Sequence, residues 1–169
     1  WDTVNEVTNN YRGKMPDLKP YFDTYKYDIS ERNSIRKELK INKDELLIGI
    51  VARFDPNKGI NTFLKIVENL VSQSFNARYI MCGDGLDETN MKLKKIINRY
   101  KLGKKIKLLG ERSDMSSIYN AIDLLLCTSK TESFGLVVIE SLACKTPVYC
   151  SDIEALKEIV DKDFVIKAN

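Results

Sequence analysis

A series of short apolar runs, each followed by a helix-patterned segment, leaves this chain little choice of fold. The run Leu46–Ala52 is continuously apolar, as expected of a strand covered on both faces. Similar runs recur at Arg78–Cys82, Ile106–Leu109, Leu124–Cys127 and Pro147–Cys150, and Phe164–Ile166 reads as a last short strand. Between the first two, Ile60, Phe63, Leu64, Val67, Leu70 and Val71 fall on one helical face. After the second, Leu93, Ile96, Ile97 and Tyr100 repeat at helical spacing. Further helices are expected near Ser113–Ala121, Phe134–Cys144 and Ile153–Val160. This alternation predicts a doubly wound, Rossmann-like parallel α/β sheet over residues 46–169, with right-handed crossovers. Such sheets bind ligands outside the carboxyl ends of their strands.

Residues 1–45 are polar and tyrosine-rich, with a helical patch only near Ser34–Leu39, and Met15-Pro16 and Lys19-Pro20 mark extended backbone. They read as a connecting segment packed at the border with a further, N-terminal domain. Trp1 in place of Met fits a piece of a longer chain. The 27 basic and 24 acidic residues give a net charge of +3, too mild to argue for nucleic acid. No run approaches membrane-spanning length and no signal peptide is visible. Cys82, Cys127, Cys144 and Cys150 lack C-x-x-C spacing and lie in apolar contexts, so buried free thiols in a reducing cytosol are expected. The chain contains no histidine.

Chemistry concentrates after the predicted strands. Glu132 lies on the loop that follows Leu124–Cys127, and Glu140 lies within the helix beyond it. Between them the N–H groups of Phe134, Gly135, Leu136 and Val137 would be the unpaired donors of a helix N-terminus, a ready anion site. Arg53 and Lys58 follow the first strand, where two cations can clamp a diphosphate. The plain alternative pairs Arg53 with Asp55 and leaves Lys58 solvated. Gly83-Asp84-Gly85 is a tight turn that stops short of G-x-G-x-x-G, and a structural role there is as expected as a ligand-facing one. From Met91 to Lys107 eight cations occur with no acid. They read as the solvated face of a core-packed helix, with attraction to an anionic membrane surface the lesser alternative.

Arg53 with Lys58-Gly59, Gly83-Asp84-Gly85, the stretch Glu132-Ser-Phe-Gly-Leu-Val-Val-Ile-Glu140, Thr146-Pro147 and Glu158-Ile-Val160 together resemble the retaining glycosyltransferases of family 4. The likeness is to their C-terminal, donor-binding domain, one half of a GT-B architecture, and runs from about Ile41 to Val160. Its two glutamates separated by seven residues, with Phe-Gly-Leu between, are the specific part. Ala52 stands where the family usually has glycine, Lys145 replaces the glycine common before Thr-Pro, and the segment after Ser151 lacks the usual Gly-Gly and Pro. The chain also stops before the family's closing helices.

The resemblance implies a glycosyl group moved with retention from a nucleoside-diphosphate sugar to a glycan, lipid-linked or small-molecule acceptor. Arg53 and Lys58 would hold the diphosphate, Glu132 the sugar and Glu140 the ribose. The backbone of Phe134, Gly135, Leu136 and Val137 would approach sugar and phosphate, and the loop Gly110–Arg112 would lie by the base, with Gly83 and Gly85 beside it. The acceptor pocket would belong to the N-terminal domain, leaving this part inactive alone. No cofactor and no metal are expected, and a cytoplasmic location is, with peripheral contact with the inner membrane face left open. A non-catalytic nucleotide-sugar-binding subunit and a sugar-nucleotide epimerase of the same architecture stay open. UDP, GDP and ADP donors are equally compatible.

Overall fold

The computed structural model describes residues 23–166, and within them strand and helix alternate from Leu46 onward. The elements are helix α1 (Ile29–Glu38), strand β1 (Leu46–Val51), α2 (Ile60–Ser72), β2 (Ala77–Cys82), α3 (Met91–Arg99), β3 (Ile106–Gly110), α4 (Met115–Ala121), β4 (Leu124–Cys127), α5 (Leu136–Ala143), β5 (Val148–Ser151), α6 (Glu154–Lys157) and β6 (Val165–Ile166). Every predicted strand is present within a residue or two. The last two helices are shorter than the apolar patterns suggest: α5 starts at Leu136 rather than Phe134, and α6 is one turn.

The strands form one six-stranded sheet in the order β3-β2-β1-β4-β5-β6, with every pair parallel. Strand order therefore reverses between β1 and β4, which are direct neighbours through Ile48 and Leu124. Alternate residues feed two cores. Leu47, Ile80, Cys82, Leu125 and Cys127 point to the face covered by α1, α4, α5 and α6. Ile48, Ile50, Tyr79, Met81 and Leu126 point to the face covered by α2 and α3. Covering on both sides explains the unbroken apolar runs. On α3, Leu93 and Ile97 are buried while Lys92, Lys95 and Arg99 are exposed, so the basic run is the outer face of a core-packed helix. Among the described residues, no helix is long and apolar enough to cross a membrane.

Residues 23–45, expected to pack on the domain, contribute α1, and Ile35 within it and Leu39 at its C-cap are buried in the core. The rest of the connecting segment lies outside the described residues. Asp28 caps α1 by accepting from the N–H groups of Ser30 and Glu31. One carboxylate fastens this helix to the sheet. Asp123, at the mouth of β4, accepts from Arg32, from Arg36 at 2.8 Å and from the Leu47 N–H at 2.7 Å. Arg36 spends three more donors on the carbonyls of Ala121, Asn42 and Glu45. Burial pushes the Asp123 carboxyl up, but the Leu47 N–H and the two guanidinium groups outweigh it and hold the group below the usual carboxylate range.

Four helices end in the same way. After α1, α2, α3 and α5 the residues Lys40, Ser74, Lys101 and Lys145 take φ values of 56, 56, 55 and 61°. At α5 the Thr146 N–H reaches the Ser141 carbonyl and the Lys145 N–H reaches Leu142, the paired bonds of a Schellman motif. Lys145 thus keeps the left-handed turn that glycine would take without strain. The other three ends repeat those bonds.

The Asp123→Asn variant should lose about 3 kcal/mol of stability at neutral pH, because two half-buried guanidinium groups lose their counter-charge. Urea unfolding measures the loss. The folded pKa of Asp123 is depressed, so its contribution is present above the ordinary carboxylate range and fades as pH falls through the folded value. The gap between variant and wild type should close on acidification. Conversely Lys101→Gly should raise stability by about 0.5–1 kcal/mol by relieving a left-handed side-chain residue, read as a higher urea midpoint.

Candidate functional site

The reversal of strand order places two loops side by side at the carboxyl edge of the sheet: Ala52–Gly59 after β1, and Thr128–Gly135 after β4. Their backbones are stitched together. The Thr128 hydroxyl donates to the carbonyls of Lys58 and Gly59 at 3.2 and 3.1 Å, and the Lys130 N–H donates to Asn57 at 2.7 Å. Gly59 has φ of 64°, and a Cβ there would lie 1.8 Å from the Thr128 carbonyl oxygen. Only a residue without a side chain lets the loops approach this closely.

The approach joins two predicted site residues. Lys58 Nζ donates to Glu132 Oε2 at 2.7 Å, with the carboxylate only 13% exposed. An ammonium carries three donors, so Lys58 keeps two for a further anion. Lys58 is therefore not simply solvated. The alternative pairing of Arg53 with Asp55 is also absent: Asp55 accepts from the Asn57 N–H and caps the 3-10 turn Pro56–Lys58. Arg53 is exposed and forms no ion pair among the described residues.

Helix α5 follows. Gly135 precedes it with φ of 67°, a left-handed conformation that stops the helix from beginning earlier, so Phe134 belongs to the loop. Among the described residues no backbone carbonyl accepts from the N–H groups of Phe134, Gly135, Leu136 or Val137, and no side chain caps the helix. Those amides, two on the loop and two on the first helical turn, are open to an anion. Phe134 and Leu136 are exposed beside them, 52% and 37%. One turn on, Glu140 faces α4 rather than solvent and accepts from the Tyr119 hydroxyl at 2.7 Å. Burial pushes the Glu140 carboxyl up, against the lowering effect of bonds from Tyr119 and Tyr25.

The other predicted residues lie farther along the same edge. The turn Gly83–Gly85 packs on the loop after β1, with the Phe54 N–H donating to the Asp84 carbonyl at 2.7 Å. Ala52 and Phe54 fill the space where side chains at Gly83 and Gly85 would stand, which gives both glycines a packing role. The Gly83 N–H donates to Gly110, bringing the loop of Arg112 alongside. The Arg112 guanidinium itself is engaged by Asp114 and Glu38. Tyr119, Tyr25 and Thr128 escape sequence reasoning: the first two read as core or linker aromatics, and Thr128 carries no signal beyond following a strand. Among the described residues no group of three or more His, Cys, Asp or Glu side chains is placed to hold a metal ion.

A parallel sheet with this strand order, bearing a cation, a carboxylate and open helix amides at its switch point, is a Rossmann-like domain, and its structural neighbours make it consistent with one half of a GT-B glycosyltransferase. Residues 31–169 match the family model described as glycosyl transferases group 1, and the chain belongs to that family. It is 30% identical over 133 residues to the alpha-monoglucosyldiacylglycerol synthase of Acholeplasma laidlawii, covering 78% of this chain and 33% of that protein. Its fold is similar to that of Anabaena HepE in complex with UDP-glucose, with a TM-score of 0.76, 26% identity, and coverage of 88% of this chain and 42% of HepE. It is also similar in fold to the C-terminal domain of the group 1 protein LpcC from Francisella tularensis, at a TM-score of 0.69, 21% identity, and coverage of 88% and 80%. The chain thus spans about a third of the length of the curated relative.

The two glycines that shape the site should respond unequally to alanine. At Gly59 the new Cβ meets a backbone carbonyl, whereas at Gly135 it meets the Leu156 side-chain end at 2.5 Å. Gly135→Ala should cost about 1–2 kcal/mol, mostly for the left-handed backbone. Gly59→Ala should cost more than ~3 kcal/mol, since overpacking adds to that strain. Urea midpoints of the two variants check the order.

Proposed function

We propose that this chain is the C-terminal, donor-binding domain of a retaining, family 4-type glycosyltransferase, which takes a glycosyl group from a nucleoside-diphosphate sugar. The observation that carries the reading is the Lys58–Glu132 contact beside the open amides of α5. It sets a phosphate-binding cation and a hydroxyl-accepting carboxylate within one hydrogen bond of each other. A nucleotide sugar presents that same sequence of groups, diphosphate then sugar.

In this reading Arg53, the two spare donors of Lys58 and the amides of Gly135, Leu136 and Val137 take the diphosphate. They stabilise the charge that develops as the nucleoside diphosphate leaves. Glu132 orients the donor sugar. Glu140 accepts from the ribose, and the base lies toward Gly83, Gly85 and the loop Gly110–Arg112. Because the Arg112 guanidinium is occupied by Glu38 and Asp114, that loop would offer the base its backbone. The complexes of Anabaena HepE with UDP and with UDP-glucose support a nucleotide-sugar ligand. The acceptor, a glycan, lipid-linked or small molecule, would be held by a second domain, and transfer would require it. The phosphate charge is met by side-chain cations and amides, and no metal is assigned a role.

Affinities for a nucleoside diphosphate and its sugar, measured by calorimetry, test the division of labour. Arg53→Ala and Lys58→Ala should each weaken both ligands by about tenfold to a hundredfold, ~1.5–3 kcal/mol. Glu132→Ala should weaken only the sugar-bearing ligand, whereas Glu140→Ala should weaken both, and EDTA should change neither. Equal loss of both ligands in Glu132→Ala would remove the sugar from that carboxylate. Unchanged affinity in the Arg53→Ala, Lys58→Ala double variant would sink the reading.

A further inference from the structure

A carboxylate on a helix interior position is an unusual ribose acceptor unless something fixes its orientation. Glu140 has three side-chain torsions and no ion pair among the described residues. What faces it is aromatic. Tyr119, wholly buried on α4, donates its hydroxyl to Oε2 at 2.7 Å. Tyr25, from the segment ahead of α1, also hydrogen-bonds to the Glu140 side chain, and its ring meets that of Tyr119 edge-on with centroids 5.8 Å apart. Cys82 on β2, Cys144 at the end of α5 and Glu31 on α1 are the other titratable groups at this junction, and none is a cation.

We infer that Tyr119 and Tyr25 are positioning residues of the donor site, holding the Glu140 carboxylate in the orientation that receives the ribose hydroxyls. The inference rests on the reading of Glu140 given above. An ionised carboxylate offers about four lone-pair sites. Two phenols occupy two of them, leaving two for the 2′- and 3′-hydroxyls of one ribose. Neutral donors suit this task better than a lysine or arginine would, because they fix the group without neutralising the charge that attracts the ligand's hydroxyls. Tyr25 is itself fixed. Asn120, adjacent to Tyr119, donates to the Lys26 carbonyl and accepts from the Asp28 N–H, both at 2.8 Å. Two neighbouring residues of α4 therefore serve one end: Asn120 pins the lead-in segment, and Tyr119 shares the carboxylate with the tyrosine that segment delivers.

The test compares Glu140→Gln, Tyr119→Phe and Tyr25→Phe against wild type. The probes are whichever of UDP, GDP and ADP binds, its 2′,3′-dideoxy counterpart, and inorganic pyrophosphate. Tyr119→Phe should weaken the ribose-bearing ligand by roughly tenfold and leave the dideoxy compound and pyrophosphate unchanged, with Tyr25→Phe following in the same direction. The pH profile adds a second readout. The phenol bond favours the ionised carboxylate, so its loss raises the Glu140 pKa further. On lowering pH, affinity for the ribose-bearing ligand should therefore fall away at a higher pH in Tyr119→Phe than in wild type. If Glu140→Gln leaves the nucleotide affinity unchanged, the ribose assignment itself fails. If Glu140→Gln weakens binding but neither phenylalanine variant does, only the positioning role is overturned. Equal weakening of all three ligands by Tyr119→Phe would mark a packing defect and overturn it as well. Should Tyr119→Phe not fold, Tyr25→Phe, at a partly exposed residue, decides by the same comparison.

Discussion

The candidate site depends on how closely two loops can run. Strand order reverses between β1 and β4, and that reversal alone would leave a crevice with separate walls. The missing side chain at Gly59 closes it, because the Thr128 carbonyl occupies the space a Cβ would need. The Thr128 hydroxyl then serves the Lys58 carbonyl, which no backbone N–H reaches among the described residues, and shares the Gly59 carbonyl with the Phe63 N–H. Everything chemical at this edge follows from that contact. It brings the Lys58 ammonium to the Glu132 carboxylate and aims the Thr128–Gly135 loop so that α5 presents its open amides beside them.

Two ionic devices sit at opposite edges of the same sheet and solve different problems. At the amino edge, Asp123 takes two guanidinium groups and a strand N–H, and almost every donor of Arg36 is consumed. Such saturation leaves nothing for a ligand and serves to hold α1 against β1 and β4. At the carboxyl edge the pairing is sparse. Lys58 and Glu132 share one bond, and among the described residues Arg53 has no ionic partner and four amides lack backbone acceptors. A cluster with spare donors suits recognition, and one without them suits architecture.

The strands were legible because their side chains are buried on both faces, so burial wrote itself into unbroken apolar runs. Glu132, Lys58 and the amides of α5 were legible for a related reason: each follows such a run directly. Helix ends were not. A reader looks for glycine after a helix, and Lys40, Ser74, Lys101 and Lys145 occupy the left-handed positions instead. The start of α5 was misplaced because Gly135 serves as the left-handed residue before the helix, not as part of it. The setting of Glu140 was hidden more deeply. Its partners Tyr119 and Tyr25 come from an apolar helix face and from a segment without periodicity, and no spacing in the sequence brings them together.

The distribution of cysteine gives the domain a one-sided chemical reporter. Cys82, Cys127, Cys144 and Cys150 are all buried and free, and all belong to the core beneath α1, α4, α5 and α6. The core beneath α2 and α3 contains none. Burial pushes the thiols of Cys82, Cys144 and Cys150 up to about 11 and raises that of Cys127 as well, so in the closed domain they are poor nucleophiles. Alkylation of this protein therefore reports the opening of one face of the sheet and is silent about the other. The sulfhydryls thus let separate melting of the two layers be told apart from concerted unfolding without any label being introduced.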